Sequence, residues 1–182
     1  MKKTLLIITA LMLIVGCGSD FIKLDINNLI DRGGLMYAPN DEPFTGSVFD
    51  FYENGEKELD GNYRKGLMNG KWTDWYENGQ KSSEGTFRDG KLYGLLTAWH
   101  ENGQKWAEVT LKDGKEDGLT TTWHENGQKS SEGTYKNGEP DGLTTTWHEN
   151  GQKWLEGTYK DGVLITAECW DEDGNEKDCP EE

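Results

Sequence analysis

The chain is 182 residues long and acidic, with 34 Asp and Glu side chains against 19 Lys and Arg, a formal net charge of −15 and a mean hydropathy of −0.87. A surface this negative repels phosphate backbones and anionic lipid head groups alike, which excludes nucleic acid as a partner and any membrane contact made by charge attraction.

At the N-terminus, Lys2 and Lys3 precede the stretch Leu5 to Val15, whose eleven residues suit a signal-peptide core and fall short of the ~18 needed to span a bilayer. The stretch runs into Ile14-Val15-Gly16-Cys17, which resembles the bacterial lipobox. That resemblance implies that residues 1–16 are a lipoprotein signal peptide and that Cys17 is acylated, for instance by palmitate. Cys17 then becomes the first residue of an envelope protein anchored in the membrane by its lipid. An ordinary secretory signal with an incidental cysteine is the competing reading. Several acyl chains would hold the protein stably, at ~0.8 kcal/mol per buried methylene. Removing residues 1–16 takes away two lysines and no acid, leaving 17 basic side chains against 34 acidic ones.

Residues 17–34 read as a tether, ending in the structure breaker Asp31-Arg32-Gly33-Gly34. Leu35-Met36-Tyr37 is expected to be an edge strand that covers the first repeat. A repeat array follows over 35–170. Tyr52-Glu53-Asn54-Gly55 returns at 76–79 and, with His100, His124 and His148 in place of the tyrosine, at 100–103, 124–127 and 148–151, always 24 residues on, and units begin at Gly46, Gly70, Gly94, Gly118 and Gly142. Self-similarity at this period marks an array in which each unit contacts mainly its neighbours.

Within a unit, Lys71 to Tyr76 and Lys81 to Arg88 flank Glu77-Asn78-Gly79, the sequence form of a β-hairpin. A two-residue loop would set Trp75 opposite Ser82. A three-residue loop with Gly79 in the left-handed conformation sets it opposite Lys81. The second register is expected, with a type I turn and a glycine bulge, and it predicts Trp75, Ser83, Gly85 and Phe87 on one face and Asp74, Glu84, Thr86 and Arg88 on the other. Asp89-Gly90 and its counterparts then join each hairpin to the next. The fold class is all-β: an elongated, single-layer, antiparallel hairpin meander of five 24-residue repeats with degenerate caps. Equivalent residues of neighbouring units fall roughly 10 Å apart. The sixth hairpin is one residue short, Gly174 following Gly151 by 23, as a degenerate C-terminal cap would be.

The turn aromatic-Glu-Asn-Gly-Gln-Lys followed by Glu-Gly-Thr-Tyr-Lys-Asp/Asn-Gly, as in His148 to Gly162, resembles the MORN repeat in its bacterial variant form, across Gly46 to Gly162 and on to Trp170. The resemblance implies a scaffold that binds protein. It also raises a toxin as partner, because relatives of the YwqK type are labelled as antitoxins; an exported chain would suit immunity against an exported toxin.

Stacking the units makes columns. Phe51, Trp75, Trp99, Trp123 and Trp147 form one, and Tyr63, Phe87, Leu111, Tyr135 and Tyr159 a second on the same expected face, with Gly61, Gly85, Gly133 and Gly157 between them to admit the rings. Lys57, Lys81, Lys105, Lys129 and Lys153 run beside the tryptophans as a cation–π cover, and Asp60, Glu84, Glu108, Glu132 and Glu156 form an acidic column. Trp75, Trp99, Trp123 and Trp147 with Lys81, Lys105, Lys129 and Lys153 are the candidate binding surface, either as a structural core or as an exposed platform for a peptide or a sugar ring.

His100, His124 and His148 lie too far apart for one metal ion, given ligand distances of ~2.1 Å. Asp171, Asp173, Asn175 and Glu182 echo a calcium loop, but Glu176 stands where the turn glycine is needed. No metal or cofactor is therefore expected, and 171–182 read as an acidic tail. Cys169 and Cys179 either bridge across that tail or remain free thiols. No carboxylate sits in a distinct, non-repeated setting, so nothing nominates a catalytic acid and base. The chain reads as a non-enzymatic, lipid-anchored scaffold for a protein partner at the bacterial envelope; the alternative is a glycan-binding module that uses its tryptophan column.

Overall fold

Two kinds of turn fold each unit. In Tyr76-Glu77-Asn78-Gly79-Gln80 the Gly79 amide donates to the Tyr76 carbonyl at 2.9 Å and the Tyr76 amide to the Gln80 carbonyl at 2.8 Å, with Gly79 at φ 79°. This is the expected three-residue loop, and it places Trp75 opposite Lys81. The connections between units are two-residue loops with both residues left-handed, Asp89 at φ 49° and Gly90 at φ 81° for example. Such turns match the twist of the strands they join, and the Asp-Gly and Asn-Gly pairs supply the residues that tolerate them.

The computed structural model describes residues 23–180. The signal stretch 1–16, Cys17 and Glu181-Glu182 lie outside the described residues. The hairpins assemble into one 15-stranded sheet that follows chain order from Gly46–Phe51 to Glu176–Lys177, beside a two-stranded sheet of Ile30–Asp31 and Met36–Tyr37. Thirteen strands lie on its main path, so it extends roughly 60 Å at ~4.8 Å per strand.

Three features of the edges differ from expectation. Lys23–Asp25, inside the expected tether, pairs parallel to Gly46–Phe51, so the sheet is not wholly antiparallel. The intervening chain supplies the crossover that a parallel pair requires. Met36–Tyr37 does not extend the main sheet; it pairs with Ile30–Asp31, and its Met36 amide donates to the Gly66 carbonyl at 2.9 Å. In the tail, Glu176–Lys177 pairs with Cys169-Trp170 as the last strand, and Cys169 and Cys179 are disulfide-bonded with Cα atoms 5.2 Å apart.

The assignment of faces is corrected. Past the turn, Trp75 pairs with Lys81 but Asp74 pairs with Ser83, so Ser82 is an extra residue. The same shift recurs in the other units. This bulge reverses the parity of the second arm. Trp75 therefore shares a face with Thr73 and Glu84, while Ser83, Gly85 and Phe87 share the other with Asp74 and Trp72.

The core sits at one end of the second face, where Phe44, Val48, Tyr63 and Trp72 are buried under Leu24, Ile26, Leu29 and Met36. Glycine does admit an aromatic ring at Gly61, where a Cβ would lie 2.0 Å from the Trp72 ring. At Gly133 the expected ring is replaced by the Thr144 hydroxyl, 2.7 Å from a built Cβ. The short sixth hairpin is explained too. Three residues, Asp141-Gly142-Leu143, separate Pro140 from Thr144 in the ladder, but only Ile165-Thr166 separate their counterparts Leu164 and Ala167. The missing residue falls in the bulge.

Candidate functional site

The first face presents the recurrent columns. Each lysine reaches across the unit boundary: Lys57 lies 5.1 Å above the Trp75 ring, Lys81 5.7 Å above Trp99, Lys105 5.7 Å above Trp123, Lys129 5.8 Å above Trp147 and Lys153 5.6 Å above Trp170. Trp170 thus completes the column, a member that strict 24-residue spacing hides. The same lysines bond the acidic column of their own unit, Lys81 to Glu84 and Lys129 to Glu132 at 2.5 Å. Glu84 and Glu132 therefore stand on the tryptophan face, not the opposite one. The Lys81 and Lys129 hydrogen bonds hold their carboxyls below the usual range against a smaller opposing push from burial.

Beneath this layer Thr73, Thr121 and Thr145 are buried, and the hydroxyls of Thr121 and Thr145 donate to Glu132 and Glu156. Further along the same strands, two and four residues from Thr and Trp, come Leu95, Leu119 and Leu143, exposed at 55%, 52% and 55%. Sequence reading missed this apolar stripe, although its 24-residue spacing is visible.

The turn edge is a ladder of links to the next unit. Tyr52 and Tyr76 hydroxyls donate to the carbonyls of Trp75 and Trp99 at 2.6 Å. His100, His124 and His148 make the same link through Nε2 to Trp123, Trp147 and Trp170 at 3.0 to 3.2 Å. A carbonyl only accepts, so Nε2 carries the proton. Asn78 Nδ2 donates to the Glu101 carbonyl at 2.9 Å while its Oδ1 accepts from the Gln80 amide, and Asn54, Asn102, Asn126 and Asn150 repeat the pattern. The histidines are thus structural links, and among the described residues no group of three or more His, Cys, Asp or Glu is placed to hold a metal ion.

The bulge position is Ser82, Trp106, Ser130 and Trp154 in successive units. Ser130 Oγ lies 2.7 Å from Thr122 Oγ1, which puts these side chains on the second face. Trp106 is 54% exposed and Trp154 39%. Neither was among the sequence candidates, because they lie outside the column that repeats in every unit. Trp106, Ser130, His100, His124, Glu125 and Glu149 border an open cleft of about 500 Å³.

Three segments, 68–89, 116–137 and 140–161, match the family model described as the MORN repeat variant. Each begins shortly before one hairpin and ends in the two-residue turn after it, so the matched unit is the structural one. No curated protein matches the chain.

Proposed function

We propose, from the three segments that match the MORN repeat variant, that the chain is a non-enzymatic scaffold that binds a protein partner with the first face of its sheet. Repeats of this type generally engage proteins or membranes. The observation that carries the reading is the leucine stripe: Leu95, Leu119 and Leu143, each more than half exposed, one in each of units three to five beside the ordered Trp, Lys and Glu columns. A row of exposed leucines interleaved with Thr110, Thr134 and Thr158, on an otherwise acidic surface, is suited to receiving a partner. The ammonium groups over Trp75, Trp99, Trp123, Trp147 and Trp170 are spent on joining units, which disfavours the glycan platform on that column.

Two finer elements complete the proposal. Acylation of Cys17 tethers the scaffold at the bacterial envelope, and an exported toxin is the partner class that the resemblance to antitoxins suggests. Affinity capture with the native protein and with Leu95→Glu, Leu119→Glu, Leu143→Glu tests the stripe: a partner retained by the native chain should be lost by the variant, and equal capture by both would refute it. Cys17→Ala should move the protein from the membrane to the soluble fraction, and an unlipidated native protein would remove the anchor from the proposal.

A further inference from the structure

The cleft bordered by Trp106 lies at the turn edge, where Trp123, already covered by Lys105, lines it as well. Trp106 stays open because the next unit places Ser130, not a second ring, at the same position. The five lysine ammonium groups that cover tryptophans go to the rings at 75, 99, 123, 147 and 170. Among the described contacts no cation lies over Trp106. Glu125 and Glu149 are likewise outside the ion pairs of the described residues, whereas the strand carboxylates Glu108, Glu132 and Glu156 are each paired with a lysine. Their main chain is held all the same, since the Glu125 and Glu149 carbonyls accept from Asn102 and Asn126. His100 and His124 form the wall and are oriented by their Nε2 links.

The cleft thus joins one open indole face to two uncompensated carboxylates, with no lysine or arginine in its lining, in a protein of net charge −15. On the scaffold reading above, we propose that it receives an arginine or lysine side chain from a basic segment of the partner that passes round the turn edge from the first face, the cation lying on Trp106 and its charge met by Glu125 and Glu149. A guanidinium suits both contacts, since it stacks flat on an aromatic face and donates to carboxylates at its edge. A neutral sugar could stack on the same ring and donate its hydroxyls to the carboxylates, but it would leave their charge uncompensated. Trp154 repeats the exposed ring two units on, four strand spacings or roughly 19 Å away, a distance that about six residues of extended chain cover. A basic segment with cations six residues apart would reach both rings.

The test is calorimetric titration of the full-length protein with a decapeptide carrying two arginines six residues apart, and with the same peptide carrying glutamines instead. The arginine peptide should bind, weaken as salt rises, and lose about tenfold or more in affinity in Trp106→Ser and in Glu125→Gln, Glu149→Gln. Serine at 106 is what units two and four carry at that position, so the variant should keep its fold, which thermal melting would verify. Equal binding of the glutamine peptide, unchanged affinity in Trp106→Ser, or Trp106-dependent binding of a neutral oligosaccharide without binding of the arginine peptide would overturn the proposal. If partner capture still depends on the leucine stripe when the arginine peptide fails, the cleft assignment falls and the scaffold reading stands.

Discussion

The two ends of the sheet share one backbone plan but not one interior. Toward the N-terminus the second face packs Val48, Tyr63 and Trp72 into a buried cluster, with the Tyr63 and Trp72 rings edge to face at 5.4 Å and the Trp72 and Phe87 rings at 6.1 Å. In units four and five the positions equivalent to Trp72 are Thr120 and Thr144, and their buried hydroxyls find no partner among the described residues. The strands nevertheless keep the same register and turns. Apolar burial is therefore not what shapes a unit. The turns and the links between units do that, and a core is needed only where the array starts.

The largest test of this contrast is glycine replacement. Gly61→Val would drive a side chain into the Trp72 ring and should cost about 3 kcal/mol or more, whereas Gly133→Val meets only the smaller Thr144 side chain and should cost about 1 kcal/mol. Adding Thr144→Ala should recover stability lost in Gly133→Val, and adding Tyr135→Leu should not. Urea denaturation measures all four, and equal costs at the two glycines would erase the distinction between the ends.

Next in size is the disulfide, which closes a ten-residue separation at the far end. Cys169→Ala with Cys179→Ala should lose roughly 2 to 3 kcal/mol. If the C-terminal units depend on staples, amide exchange should quicken there first and leave Val48 and Tyr63 protected. Asn126→Ala removes one link to the next unit and one turn bond and should cost about 1 to 2 kcal/mol. Its effect on exchange should again be confined to units four and five.

The smallest effect is that of pH, and it should be alike at both ends. The carboxyls of Glu84, Glu132 and Glu156 are lowered from an ordinary value of 4.5, chiefly by hydrogen bonds from Lys81, Lys129 and Lys153. At Asp60 burial pushes upward, but Lys57 and Lys23 outweigh it and the net shift is also downward. A lowered carboxyl stabilises the fold above its unfolded-state value, and that contribution fades as pH falls below about 4.5 through the folded-state value. Exposed pairs of this kind contribute little individually. Urea midpoints should thus fall modestly from pH 5 to pH 3, and Lys81→Met with Lys129→Met should flatten the decline.

Much of this architecture could be read before folding was considered. The period, the three-residue loop and the pairing of Trp75 with Lys81 all follow from Glu77-Asn78-Gly79 and the parity of its flanks. The bulge at Ser82 could not be read the same way, because a turn fixes register only up to the first irregularity and every face beyond it then inverts. One clue was present: Trp72 and Trp75 are three residues apart in a single strand, so they cannot share a face. The N-terminal strand Lys23–Asp25 left no signal, since its three residues gain their structure wholly from the edge of Gly46–Phe51. Trp106 carries no periodic signal of this kind, because the cleft depends on an alternation of large and small residues at the bulge position and not on a residue that recurs in every unit.

The links at the turn edge all point forward along the chain, from the side chain of one unit to the main-chain carbonyl of the next. Any hairpin offers a carbonyl, whatever its side chains, so each completed unit is a template that accepts whatever sequence follows it. Growth by duplication of a 24-residue segment therefore needs no matched change elsewhere, and a chain emerging N-terminus first would dock each hairpin on groups already in position. The last described turn departs from this pattern. At the last turn Asp171 takes the place of tyrosine or histidine, and its carboxylate accepts from the amides of Asp173 and Asn175 in its own loop instead of reaching outward. Both forward links are thereby absent at that turn, since Asp173 likewise stands where each earlier turn carries asparagine.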